Sequence, residues 1–402
     1  METGAGIDDA VPDTNVYHRM RAEETLDFAN AFYHLKVDSL GRITSLVDLQ
    51  TEYEYAAGSL NEWKLYQDVN VCYDAWELGS MYESIPVKLT GEHFSTVETK
   101  VDGSLLLTVK RKEQYFSAVQ KVYLKKDSPR IDFVTEIDWH ERHRILKADF
   151  PTSVFTKEVL EEIPFGYIRR PTHRSTGQEK DMYETCHHRY AVLTDGENGF
   201  ALLNDCKYGL SAENSRLSLT LLRAPVQPDV TANQGVHRFT YSILPFHGSF
   251  ADSCVTEEAY ELNTVVTECA ETRAGNIEVH GGDKKNAEKR GTDKVCAEKV
   301  RKYDAGVAAL DGEHVSYFGI EGCHVILETC KPAFDLENGV VLRLYESKGS
   351  AGIAMLQVPA TVKHIYSCNM LEHISEELEL TAEHRVKLRF RAFEIKTLLL
   401  TV

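Results

Sequence analysis

The stretch 131-IDFVTEIDW-139 decides how this chain is read. Ile131, Phe133, Ile137 and Trp139 recur at even spacing, with Asp132, Glu136 and Asp138 between them. Side chains alternate across a strand, so a period of two gives one apolar face and one polar face. An amphipathic helix would instead place its apolar residues three and four apart. The same alternation returns in Leu217, Leu219 and Leu221, with Ser218 and Thr220 between, and in Val386, Leu388 and Phe390, with Lys387 and Arg389 outward. After Phe390 the row slips at Ala392, and Phe393 and Ile395 take it up. A strand running straight through that slip would turn its apolar side to water, so a bulge or a turn must intervene.

Turn signals separate such runs. Asp102-Gly103 suits a tight hairpin. Asp38 to Gly41 parts Leu35 and Val37 from Ile43, with Gly41 placed for a left-handed backbone. Asp195-Gly196 and Asn198-Gly199 divide YAVLT from FALLN, another hairpin. Turns are close and regular and helical periodicity is scarce, so the fold class is all-β with large packed sheets.

At 402 residues the chain exceeds one compact core. The segment from Ala274 to Asp304 is dense in Lys, Glu, Asp and Gly and poor in aromatics. Such a stretch buries too little apolar surface to order itself and reads as a solvated linker, with a short helix near Val295 to Val300. The expected division is a loose tail over 1–23, a large β part over 24–260, a charged linker over 261–311 and a smaller β part over 312–402.

The formal net charge of -17 argues against nucleic acid, which needs a basic face. No apolar run approaches the ~18 residues of a membrane span, and METGAGIDDAVPDTN lacks the pattern of a signal peptide. Nine scattered cysteines without CxxC spacing read as reduced thiols in a cytosolic protein.

Candidate site residues are sparse. His140 and His143 in DWHERH are three apart, not four as on the helix of a zinc protease, and two ligands alone make no metal site. His187 and His188 are adjacent, so on a strand they point to opposite faces. Asp74 and Trp76 in YDAWELG pair a carboxylate with an indole, the combination that sugar rings commonly meet, although a core tryptophan beside a turn acid has the same sequence. Asn204 and Asp205 could hydrogen-bond a sugar or close the turn that ends at Gly209. Gln234, His237 and Arg238 sit where a glycine-containing loop enters a strand, a plausible rim. No GxSxG, P-loop or GxGxxG occurs, and no histidine is followed two residues later by aspartate.

Taken in order, YDAWEL, TEIDWHERHRILKADFP, FGYIRRPTHRST, HRYAVLTDGENGFALLNDCKYG, LLRAP, HRFTY, VVLRLYE and FEIKTLLL resemble the C-terminal β-rich region of glycoside hydrolase family 38 α-mannosidases, most closely the cytosolic and vacuolar branch. The resemblance runs from about Leu26 to the end, apart from the linker. It implies a large β-supersandwich of galactose mutarotase-like shape followed by a smaller C-terminal β-sandwich. It also implies removal of terminal α-mannose with retention, by a zinc ion and an attacking aspartate on an N-terminal barrel that this chain lacks. No cofactor is then expected on this chain, and its partners would be an α-mannoside or oligosaccharide and a separate catalytic barrel. In the family loop FGYIRRPTHRST continues as Asn-Thr-Ser-Trp-Asp, whereas here residues 175–179 read Ser-Thr-Gly-Gln-Glu, and Glu77 stands where aspartate is common. Arg170, Thr172 and His173 would face the barrel and the pocket rim, with Pro171 biasing Arg170 to an extended shape. The expected location is cytoplasmic, or vacuolar by the resemblance. The alternative is a stand-alone carbohydrate-binding or scaffold sandwich without hydrolase activity. An epimerase would need a Glu and a His facing one concave surface, and no stretch suggests that pair.

Overall fold

The computed structural model describes residues 15–70, 73–264, 269–271, 277–279 and 317–401. The chain divides into two compact units, Met1–Ile163 with Ile168–Asn263, and Pro164–Tyr167 with Thr264–Val402. Both are built of antiparallel sheets, as the alternation requires.

In the first unit a ten-stranded sheet packs against a six-stranded one. Ile131–Trp139 lies in the larger sheet, antiparallel to Phe116–Leu124 on one side and Gly235–His247 on the other. Ile131, Phe133, Ile137 and Trp139 all point into the core. Asp132, on the other face, is also buried, because Arg130 Nε at 2.8 Å and Ser242 Oγ at 2.7 Å reach it. From the facing sheet come Leu146, Ala148 and Phe150 of Arg144–Pro151 and the leucines of Arg216–Arg223. Each such large apolar side chain contributes about 1.5–3 kcal/mol on burial.

Tyr241 sits at the centre, stacked on Phe133 at 5.2 Å and edge-on to Phe150 at 6.1 Å. Its hydroxyl donates to Asn61 Oδ1 at 2.5 Å and accepts from Gln120 Nε2 at 2.7 Å and Trp63 Nε1 at 3.1 Å. A phenol can be this deep because its bonding capacity is filled.

The turn readings match the structure. Asp102-Gly103 joins Glu92–Thr99 to Leu105–Lys112, and Gly103 has φ +80°. Tyr33–Asp38 and Ile43–Asp48 pair across Gly41, at φ +74°, and Tyr190–Thr194 pairs with Asn198–Asn204. Within the segment read as a tail, Val16–Arg19 is a strand paired with Glu92–Thr99. A helix the alternation did not announce, Val255–Asn263, crosses the position where the linker was expected to begin, with Val255, Thr256 and Ala259 buried. The short helix expected near Val295 to Val300 lies outside the described residues.

The second unit stacks a three-stranded sheet (Gly319–Gly322, Gly352–Gln357, Arg385–Phe390) on a five-stranded one, around Leu342, Leu344, Leu356, Ile365, Val386 and Leu398. The slip at Ala392 is a turn. Arg385–Phe390 belongs to one sheet and Ile395–Thr401 to the other, and Phe393 takes φ +57° between them. The fully buried Glu346 carboxylate holds this corner, accepting from the backbone N–H of Phe393 at 3.0 Å and Gly349 at 2.9 Å.

Candidate functional site

The outer face of the six-stranded sheet carries an ionic network that fixes the loops around it. Arg144–Pro151 sends Leu146, Ala148 and Phe150 inward, so Lys147 and Asp149 fall on the opposite face. Both are nevertheless buried. Lys147 Nζ meets the two Glu184 oxygens at 2.8 and 2.6 Å and the Tyr82 hydroxyl at 3.1 Å. Asp149 accepts from Lys64 at 2.7 Å, from Arg216 Nη1 at 3.3 Å and from the Ser218 hydroxyl. Arg216 Nη2 reaches back to both Glu83 oxygens, at 3.0 and 2.9 Å. Burial pushes the Glu83 carboxyl up, but the Arg216 guanidinium outweighs it and leaves the group below its ordinary range. Buried pairs add little net stability, yet breaking one leaves an uncompensated charge, so the network holds Tyr82, Glu83 and Glu184 to one geometry.

The loop that begins at Tyr73 is tied down behind its aromatic residues. Asp74 is buried and accepts from the backbone N–H of Val226 at 2.8 Å and Gln227 at 2.9 Å, with His143 Nδ1 at 3.5 Å. Burial raises the Asp74 carboxyl, but these backbone bonds and His143 overcome it, and it lies below the usual carboxylate range. Arg223 bonds Asp68 at 2.6 Å and the Glu77 carbonyl, and the Tyr183 hydroxyl donates to the Leu78 carbonyl at 2.5 Å. In front, Tyr73 and Trp76 stand edge to face at 6.1 Å with 63% and 69% of their surface exposed. Gln234 Nε2 donates to the Glu141 carbonyl at 2.6 Å, and His237 Nε2 lies 2.9 Å from the Asn233 carbonyl. Asn233 in turn donates to the Arg223 carbonyl at 2.9 Å. Asp74, Trp76, Gln234 and His237 thus belong to one loop cluster, in which Trp76 is the presented group and Asp74 and Gln234 are internal ties.

The other candidates lie elsewhere. Gly166–Pro171 is a strand, and Arg170 Nε bonds the fully buried Glu161 at 2.6 Å, where Thr185 Oγ1 also donates at 2.6 Å. Burial holds the Glu161 carboxyl above its ordinary range despite Thr185 and Arg170. Thr172 is buried, its hydroxyl donating to the Thr156 carbonyl at 2.7 Å, so it faces no open rim. His173 is half-exposed, 3.3 Å from Glu179. The altered tail of this loop forms a capping box: Glu179 N–H donates to Thr176 Oγ1 at 3.2 Å and the Glu179 carboxylate accepts from Thr176 N–H at 2.8 Å, opening the short helix Gly177–Lys180. Asn204 is fully buried against His187, and Asp205 accepts from Thr240 N–H at 2.8 Å.

His140 pairs with Asp138 at 2.8 Å while His143 turns to Asp74, so these two histidines do not share a partner. Among the described residues no three His, Cys, Asp or Glu side chains converge so as to hold a metal ion. Lys147, Asp149, Glu184 and Arg216 were not singled out from the sequence. For Lys147 and Asp149 the signal is the run 146-LKADF-150, which places two opposite charges at alternate positions of an otherwise apolar strand.

Residues 28–231 match the glycosyl hydrolases family 38 C-terminal domain, and residues 324–398 match the family 38 C-terminal beta sandwich domain. The chain is 31% identical to alpha-mannosidase 2C1 of Homo sapiens, over 98% of this chain and 35% of that protein. It is 30% identical to alpha-mannosidase G of Dictyostelium discoideum, over 92% of this chain and 32% of that protein. It therefore spans about a third of the length of these relatives. Among solved structures, an alpha-mannosidase from Enterococcus faecalis V583 superposes with a TM-score of 0.66 at 16% identity, over 93% of this chain and 42% of that one, a likeness of fold.

Proposed function

The chain belongs to glycosyl hydrolase family 38, carrying its C-terminal domains, and from that membership we propose that it is the accessory β region of a retaining α-mannosidase, acting on terminal α-mannose only together with a zinc-bearing catalytic domain. The observation that carries this reading is the similarity to α-mannosidase over 98% of the chain, combined with described residues that offer no metal cluster. Glycoside hydrolysis needs two placed carboxyl groups, or a metal with a carboxylate, around the scissile bond. The buried carboxylates of Asp74, Asp149, Glu161 and Glu346 are instead engaged in structural ties. In this reading the anchored loop with Tyr73 and Trp76 is the rim offered to the catalytic domain and the sugar, since an indole face stacks on the C–H face of a pyranose. The reading also places the enzyme in the cytoplasm; no helix among the described residues is long and apolar enough to cross a membrane.

The test is release of mannose from an aryl α-mannoside by the purified chain, with and without a family 38 catalytic domain, alongside metal analysis. Turnover is expected only in the mixture, with zinc in the catalytic domain. Turnover by the chain alone with stoichiometric metal overturns the proposal. Saturable sugar binding without any complementation favours the stand-alone binding protein.

A further inference from the structure

The edge strand Val16–Arg19 runs into a short segment that the first unit holds at several points. The Met20 side chain is buried in the core, and its N–H donates to the Ser95 carbonyl at 3.0 Å. Ser39 Oγ donates to the Ala22 carbonyl at 2.8 Å, and the Glu24 carboxylate turns back to accept from the Arg21 backbone N–H at 2.9 Å. Arg19 and Arg21 flank Met20 on this fixed backbone. A hollow of about 320 Å³ is lined by the segment and by residues 93–95 of Glu92–Thr99.

The lining carries positive charge without a counter-charge. Arg19, Arg21 and His93 line the hollow, and no Asp or Glu does. Glu92, next to His93, lines the neighbouring clefts instead. Among the described residues Arg19, Arg21 and His93 make no ion pair. Glu24, on the same loop, is taken by the His18 ring at 3.2 Å and by the Arg21 backbone. The Arg19 guanidinium is held 4.4 Å over the Phe94 ring. Ser95 also lines the hollow and is 2% exposed. Its hydroxyl has no hydrogen-bond partner among the described residues and is not sealed off, so the little of it that reaches solvent opens into the hollow. An unpartnered hydroxyl at such depth is costly, and a ligand oxygen would satisfy it.

These groups are donors. A guanidinium only donates, an imidazole carries an N–H in either tautomer, and a serine hydroxyl can donate. Two guanidinium forks, a ring N–H and a hydroxyl offer about six donors, more than the ~4 lone-pair sites of a carboxylate take up. The three strong acceptor oxygens of a phosphoryl group match them better. An extended polyanion would reach past the hollow and meet the field of a chain with formal net charge -17, so the ligand is a small molecule. The volume lies within the usual range of small-molecule sites, about 300–1,000 Å³. We propose that this hollow binds the phosphoryl group of a small phosphate ester, with Arg19 and Arg21 on its oxygens and Ser95 beneath it. No step of this rests on the α-mannosidase reading.

Calorimetric titration of the whole chain with inorganic phosphate and with glycerol phosphate tests this, at constant ionic strength and with acetate in parallel. Arg19→Met keeps an unbranched stem on Phe94, and Arg21→Met removes the second fork; both positions are exposed, so the fold should survive either change. Lys387→Met removes an exposed cation of the second unit and is the control. One saturable site is expected for both phosphates at millimolar concentration, with acetate weaker. Affinity should fall about tenfold or more in R19M and in R21M and stay unchanged in K387M, with all unfolding midpoints unchanged. Absence of saturation at millimolar concentration, affinity indifferent to R19M and R21M, or an equal loss in K387M overturns the proposal. So does acetate bound as tightly as phosphate, or capture by phosphatidic acid vesicles without binding of either soluble phosphate.

Discussion

His187 is fully buried between two groups that together allow only its neutral form. Its Nδ1 lies 3.0 Å from the Tyr208 carbonyl, which can only accept, so Nδ1 carries the hydrogen. Its Nε2 lies 3.0 Å from Asn204 Nδ2, which can only donate, so Nε2 must be bare. Burial, opposed by the Tyr208 bond and aided by His188, lowers the pKa from 6.5 to about 4. Because the folded value lies below the unfolded one, this stability is fully present above pH 6.5 and is lost as pH falls toward 4. At about 1.4 kcal/mol per pH unit the whole effect is about 3 kcal/mol. The comparison is urea unfolding of the native chain and of His187→Gln between pH 7 and about pH 4.5. Trp63, Trp76 and Trp139 are the chain's three tryptophans and share the unit of His187, so their fluorescence follows it. The native chain should lose about 2–3 kcal/mol more than the variant over that range. Equal slopes in the two proteins, or a folded-state His187 ring proton titrating near 6.5, would refute the reasoning.

Lys147→Met should cost about 3–5 kcal/mol in urea unfolding, since Glu184 would keep its charge without its ammonium partner. The double variant Lys147→Met with Glu184→Leu should be less destabilised than the sum of the singles, and additive losses would mean the pair is not coupled. Gly199→Ala should lower the denaturant midpoint by an overpacking cost of about 1–3 kcal/mol, because a Cβ there falls 2.0 Å from Phe246 Cζ, whereas Gly177→Ala has open space and should change little. Trp76→Ala should leave stability within about 0.5 kcal/mol while weakening complementation of a catalytic domain; a large loss of stability would show that the ring is structural.

Much of the fold was legible from local pattern. Period-two rows placed Ile131–Trp139, Arg216–Arg223 and Arg385–Phe390 in sheets, and the slip at Ala392 required the corner that Phe393 makes. The capping box Thr176–Glu179 is present in the sequence as T-x-x-E. The candidate site was less legible. Arg170, Thr172 and Asn204 have the residue types of a polar rim, but their partners are 9, 16 and 17 positions away, and only the folded chain shows that they face inward.

The sequence by itself determined the class of fold, because strand periodicity and turn residues are properties of neighbours along the chain. Ordered segments carried the family likeness in the same way. Only the tertiary structure decided which polar side chains are spent internally and which remain available. Asp74 is consumed by two backbone N–H groups while Trp76, two residues on, stands in water. The physical reason is that burial and hydrogen-bond satisfaction are set by strands and loops brought together from distant parts of the chain, and neither is encoded in the spacing of residues.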